Sequence, residues 1–190
     1  MRRVMILAVL AVAGCVSHTY APPDVYLLAP EIDVSPAQPT NRTLGIRALQ
    51  AARPYKQAIV FRAPGHILGQ YDSVLWAELP SDALTRALAD AIRATGRFRD
   101  VGNAADMNVP DLILTGELRK LDEVRTTDPW TAECEVRLEL REARGPGAVW
   151  ADTLTAAQPL DKNDLSALAA AMSRAVATVL NQAASRIAEQ

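Results

Sequence analysis

Residues 130 to 142 alternate strictly. Ala132, Cys134, Val136, Leu138 and Leu140 fall on one side, and Thr131, Glu133, Glu135, Arg137, Glu139 and Arg141 on the other. A period of two is that of a strand with one dry and one wet face. Leu112 to Leu121 repeats it, with Leu112, Leu114 and Leu118 opposite Thr115, Glu117 and Arg119. After the turn Arg144-Gly145-Pro146-Gly147, Val149 to Ala156 supplies a third strand, so the region predicts an antiparallel meander. Upstream, Leu44 to Leu49 alternates about Ile46, and Ala58 to Phe61 is a short apolar run of the buried type. Ala63-Pro64-Gly65-His66 reads as a turn and Ile67 to Tyr71 as the returning strand of a hairpin.

Two stretches change to the helical period. Leu79-Pro80-Ser81-Asp82 is a helix start, with proline in the first turn and acid at the positive end of the dipole. From Pro80 to Thr95, Ala83, Leu84, Ala87, Leu88, Ala91 and Ile92 form one stripe, and Gly96 ends the helix. Arg97 to Val101 reads as a short extended segment. Beyond Pro159 a long helix, capped by Asp161 or Asn163, buries Leu165, Leu168, Ala169, Met172, Val176, Val179, Leu180, Ala183 and Ile187. The expected fold is α+β: a two-layer sandwich of a mixed, mostly antiparallel sheet with two amphipathic helices on one face. There is no internal repeat and no sign of a second domain.

The N-terminus carries an address. Met1-Arg2-Arg3 precedes the apolar run Val4 to Val12, then Ala13-Gly14-Cys15. A charged start, a short apolar run and small residues make a secretory signal, too short for the roughly 20 apolar residues of a spanning helix. Val12-Ala13-Gly14-Cys15 resembles the lipobox of bacterial lipoproteins. That resemblance implies acylation of Cys15 and removal of residues 1–14, and several acyl chains on one residue make a stable anchor. Val16 in place of aspartate implies, by the usual sorting rule, the inner leaflet of the outer membrane. Val16 to Pro39 contains five of the twelve prolines and reads as a tether, with one short extended piece at Val25 to Leu28. The division is a signal at 1–14, a lipidated tether at 15–24 and one domain at 25–190.

Composition narrows the function classes. The chain has 190 residues, 49% hydrophobic, enough for one domain with a real core. Net charge of −2 is no footprint for nucleic acid. With Cys15 acylated, Cys134 has no cysteine partner, and its place on the dry side of a strand makes it a small core residue. The two histidines, His18 and His66, complete no metal set with any cysteine or carboxylate cluster. The nucleophile-elbow, dinucleotide, P-loop and zinc-protease motifs are missing. The expectation is a non-enzyme without metal or cofactor. Charge placement says more. Between Val34 and Tyr71 there are five cations, Arg42, Arg47, Arg53, Lys56 and Arg62, and no acid, while residues 72–190 carry an excess of acids. This stretch is either a solvated face or a dock for an acidic surface. Arg47, Lys56 and Arg62 are its candidate docking residues. Tyr71 and Trp76, beside the first helix, are either core or interface, and Trp150 is assigned to the core.

The order of these features resembles the ABC-type transport auxiliary lipoprotein family, the PqiC-like proteins. The matching pieces are the lipobox, Tyr26-Leu27-Leu28-Ala29-Pro30 and the strand Ile59-Val60-Phe61-Arg62. They continue with Val74-Leu75-Trp76-Ala77-Glu78-Leu79-Pro80 before the first helix, then Val149-Trp150 and the closing helix from Leu165 to Ser173. The resemblance implies a non-catalytic periplasmic component of a lipid-trafficking system. Such proteins accompany an inner-membrane ABC transporter and an MCE-domain protein that tunnels across the periplasm, hold the outer-membrane end, and act singly or as a homo-oligomeric ring. An alternative is a lipoprotein that activates a cell-wall synthase or builds a secretion pore. An activator would need a tether long enough to cross the wall.

Overall fold

A computed structural model describes residues 22–126 and 128–190. The signal, Cys15 and His18 lie outside the described residues. The strands are β1 (Asp24–Tyr26), β2 (Thr43–Ile46), β3 (Gln50–Ala51), β4 (Ala58–Ala63), β5 (Ile67–Trp76), β6 (Asp100–Asn103), β7 (Leu112–Val124), β8 (Thr131–Glu142) and β9 (Ala148–Pro159). The helices are α1 (Pro80–Ala94) and α2 (Leu165–Ala188). The fold is α+β: one open, mostly antiparallel sheet with both helices on one face.

β7 organises the sheet. One of its edges runs antiparallel to β8 along its whole length, and β8 pairs on with β9. Its other edge meets β2, then β3, then β4, all parallel and each only a few residues long. β6 extends β2 and β5 extends β4; β1 adds a parallel strand beyond β5. The sequence pattern anticipates the long antiparallel ladders, because alternation is local. It cannot anticipate the order in which three short strands share one edge.

On β8 the alternation holds as expected. Ala132, Cys134, Val136, Leu138 and Leu140 are fully buried under the helices. β7 runs further than Leu121, and a bulge between Leu118 and Lys120 shifts its register against β8. Before the bulge Leu112, Leu114 and Leu118 face the helices; after it Leu121 and Glu123 do, opposite Cys134 and Ala132. An extra residue in one strand exchanges its two faces.

Pro80 opens α1 without a side-chain cap, and Gly96 follows it at φ 65°. α2 is capped by neither Asp161 nor Asn163. Asp164 is the cap, its carboxylate accepting from the Ala167 amide at 2.8 Å. This is the N-cap geometry, with the acceptor three residues before the amide it satisfies. Ala171, Ala175, Ala183 and Ala184 join the larger residues of the buried stripe, so α2 lies close against β8 and β9.

The proline-rich stretch corrects the sequence reading. From Asp24 it is part of the fold rather than tether. Leu28 is buried, and Ile32 and Val34 pack against the core. The Ala29 amide donates to Ser173 and the Asp33 amide to Asn181, whose side-chain NH₂ donates back to the Glu31 carbonyl. Further on, the Ala37 and Thr40 amides donate to the carbonyls of Thr95 and Arg97 at the end of α1. An extended proline-rich chain has no hydrogen bonds of its own. Here helix side chains and helix-end carbonyls supply them, and residues 27–40 become a strap across α2.

Candidate docking surface

The sheet face turned away from the helices is charged. β7 contributes Glu117, Arg119, Lys120 and Asp122, and β8 contributes Glu133, Glu135, Arg137, Glu139 and Arg141. Lys120 bridges Glu133 and Glu135 at 3.0 and 2.7 Å; Arg119 pairs with Glu117, and Arg141 with Glu139. The Lys120 pairs cross from β7 to β8 and favour their register, whereas the Arg119 and Arg141 pairs lie within one strand, and each exposed pair contributes little stability.

The five cations of the Val34–Tyr71 stretch separate into two groups. Arg42 pairs with Glu142 at 3.4 Å. Arg62 donates to Asp122 at 2.5 Å and to Glu133 at 3.2 Å. Asp122 is fully buried, so Arg62 is committed to neutralising it; this removes Arg62 from the docking candidates. Tyr55 is buried in the same cluster. Arg47, Arg53 and Lys56 are exposed, and among the described residues no carboxylate lies within ion-pair distance of them. Arg47 stands beside Glu117, Arg119, Arg137 and Glu139 in a shallow hollow of about 340 Å³.

Tyr71 and Trp76 also part company. Trp76 is 1% exposed and belongs to the core, so it offers no surface to a partner. It stands at the end of β5, just before α1, and packs within the core cluster. Tyr71 is half-buried and engaged. Its hydroxyl donates to Glu123 at 2.9 Å, and its ring meets Phe61 edge-on at 5.5 Å. Burial, then the hydrogen bond to Glu123, pushes its pKa up to about 12.

That contact is one corner of a clasp that sequence reasoning missed. The Arg125 guanidinium lies 3.6 Å from the centre of Phe61, 4.8 Å from Trp130 and 5.0 Å from Tyr71. It pairs with the buried Glu123 at 2.6 Å. A cation held over several rings and bonded to a carboxylate joins the β4–β5 hairpin to the β7–β8 connection. The adjacent acids Asp122-Glu123 at the end of an alternating run were the available signal, since a strand sends one of them to each face.

Cys134 is free and fully buried. Burial, with the nearby Glu133 and Glu135, holds its thiol far above the usual range, so no thiolate forms there. Trp150 packs against the core half-buried, on the edge strand β9 rather than a central one. A hollow of about 740 Å³ between the strap and α2, bordered by Leu27, Ala29, Gln158 and Arg174, is an open groove. It is not the enclosed apolar cavity of a lipid carrier. No helix among the described residues is long and apolar enough to cross a membrane.

A family model described as "ABC-type transport auxiliary lipoprotein component" matches residues 26–184. Among solved structures, the protein XCC0632 from Xanthomonas campestris is similar at a TM-score of 0.78 and 22% identity, covering 87% of this chain and 95% of its own. An uncharacterised protein is similar at a TM-score of 0.67 and 12% identity, covering 89% and 98%. The hypothetical protein CT253 from Chlamydia trachomatis is similar at a TM-score of 0.54 and 8% identity, covering 78% and 96%. At these identities the likeness is one of fold. No curated protein matches the chain by sequence.

Proposed function

Because the chain belongs to the ABC-type transport auxiliary lipoprotein component family, we propose that it is a non-catalytic, lipid-anchored docking subunit of a lipid-transport system, held at the periplasmic face of the outer membrane. Its partner is the MCE-domain membrane protein of the transporter. Cys15 carries the anchor, and Arg47, Arg53 and Lys56 form the electrostatic part of the dock.

The observation that carries this reading is the division of the cations. Arg62 is used up on a buried acid and Arg42 is paired with Glu142 at the surface, while Arg47, Arg53 and Lys56 stay exposed without acid partners among the described residues. Free cations on a rigid face raise the encounter rate with an acidic partner and fix its orientation. The strap supports the same reading against a cell-wall activator. Only eight residues lie between Cys15 and Asp24, and the nine steps from one to the other span roughly 30 Å at about 3.3–3.6 Å each. That holds the head close to its membrane.

Charge reversal tests the dock. Arg47→Glu, Arg53→Glu and Lys56→Glu together should weaken capture of the MCE partner from membrane extracts while secretion and folding persist. Reversal of Arg144, Lys162 and Arg174, on other parts of the surface, is the control. Equal capture by both triple variants would show that the three cations are only a solvated face. Cys15→Ser tests the anchor: it should leave unprocessed precursor and abolish acyl incorporation, and wild-type mass and fractionation would refute it.

A further inference from the structure

We propose that the turn of the β4–β5 hairpin enters the headgroup region of the bilayer that holds Cys15, giving the domain a second point of membrane contact. The inference rests on the lipid-anchor reading above.

The hairpin tip is unusual in its composition. From Ala63 to Tyr71 there is no Asp, Glu, Lys or Arg. Gly65 and His66 turn the chain at φ 80° and 63°, and Ile67 and Leu68 follow at 57% and 46% exposed. Apolar surface left in water costs about 25 cal/mol per Å², so two adjacent branched side chains at a tip call for a covering medium. Arg125 stands level with Leu68: its amide donates to the carbonyl of Arg62, the residue paired with Leu68 across the hairpin. Trp130 lies over its guanidinium. Arg125 is itself held by Glu123, so what stands here is a fixed aromatic ring just behind an apolar tip, which suits headgroup depth, where amphipathic rings collect.

The strand register leaves the same side within reach of the anchor. β1 runs parallel to β5, with Asp24 beside Val74 and Tyr26 beside Trp76, so the chain enters the sheet from the direction of the turn. Val74 stands seven residues from Ile67, roughly 23 Å of strand at about 3.3 Å per residue. The roughly 30 Å reach from Cys15 to Asp24 covers that span. A bilayer lying at the turn therefore satisfies the anchor and the apolar tip together. Of the other exposed apolar residues, Val25, Leu27 and Leu79 are interleaved along the chain with Asp24, Glu31, Glu78 and Asp82, which an anionic bilayer repels. Val109 and Val149 lie at the opposite end of the β7–β8 ladder, near Asp111 and Glu142.

The two ends can be compared directly in the processed full-length protein. Leu68→Cys and Leu79→Cys each present one thiol to an environment-sensitive fluorophore, because Cys15 is acylated and Cys134 is fully buried. The proteins are placed in vesicles of phosphatidylethanolamine with phosphatidylglycerol as the minor component. The label at 68 should shift to the blue and be quenched by brominated acyl chains, and the label at 79 should do neither. Ile67→Cys repeats the test should the label at 68 perturb the turn. If the protein floats with the vesicles while the tip labels stay in water, or while only the label at 79 is quenched, the proposal is wrong and the anchor stands. A tip label that shifts only when a partner protein is added, without lipid quenching, also overturns it. Failure to float at all defeats the anchor reading, and this one with it.

Discussion

Asp122 and Glu123 are neighbours in sequence and point to opposite faces, and each meets its burial differently. One Asp122 oxygen accepts from Arg62; the other has no partner among the described residues. Burial, only partly offset by Arg62, pushes its pKa above the ordinary aspartate value. The native state therefore holds this proton to higher pH than the unfolded chain. The resulting stability is fully present below the unfolded value and is lost as pH rises through the folded one. Asp111 has the opposite sign: the Thr43 amide and hydroxyl donate to its carboxylate and lower its pKa. Its contribution is present above the ordinary value and is lost as pH falls through the folded one. Asp122→Asn should thus flatten the decline of stability with rising pH, measured as urea midpoints across the acid range; an unchanged slope would refute the assignment. Glu123 relies on Arg125, and breaking one side of a buried ion pair costs about 3–5 kcal/mol. Arg125→Ala should approach that loss, and adding Glu123→Gln should restore much of it. A double-mutant cycle showing no coupling would count against the clasp.

Two elements depend on contacts that their own sequences do not advertise. β7 carries Gly116 where a Cβ would meet the Arg137 carbonyl oxygen at 2.6 Å and a Leu138 methyl at 2.6 Å. The first of these is backbone and cannot swing aside. Gly116→Ala should destabilise by about 1–3 kcal/mol, the usual range for overpacking, and lower the melting temperature; an unaffected melt would mean that the β7–β8 ladder relaxes freely. The strap depends on α2 through two hydrogen bonds of Asn181, to the Asp33 amide at 3.2 Å and the Glu31 carbonyl at 3.3 Å. Each such bond contributes about 0.5–1.5 kcal/mol net. Asn181→Ala should speed amide hydrogen exchange in residues 29–35 while leaving that of β8 unchanged. Equal protection of the strap in both proteins would show that proline stiffness and Leu28 hold it alone.

Over the whole molecule, charge sorts by region and is then edited by folding. The cation-rich stretch and the acid-rich remainder face each other across β4 and β7, and Arg62 is the cation used where they meet. What is left for a partner is Arg47, Arg53 and Lys56, all exposed, hence screened within about 8–10 Å at ordinary ionic strength. On the proposed docking, association with a partner should therefore slow as salt rises, and reversal of the three cations should remove most of that dependence. An association rate indifferent to salt would place the dock elsewhere. The strap fixes the other global quantity: residues 29–33 are tied to α2 and residues 37–40 to the end of α1, so the proposed anchor at Cys15 would hold the head near its membrane.

The sequence by itself determined what repeats locally. A period of two marks β7 and β8, a period near 3.6 marks α1 and α2, and Cys134 on the dry side of its strand is a core residue on that evidence alone. These patterns report burial of one face, which each segment encodes within a few residues. Only the tertiary structure decided what depends on distant partners. The bulge after Leu118 changes which face Asp122 and Glu123 occupy, and three short parallel strands share one edge of β7. Arg62 finds a buried acid sixty residues away, Trp76 is sealed in the core, and a proline-rich segment that reads as tether finds its hydrogen bonds on α2 and at the end of α1. None of these is encoded within its own segment, because the energy that selects each comes from groups that meet only after the chain has folded.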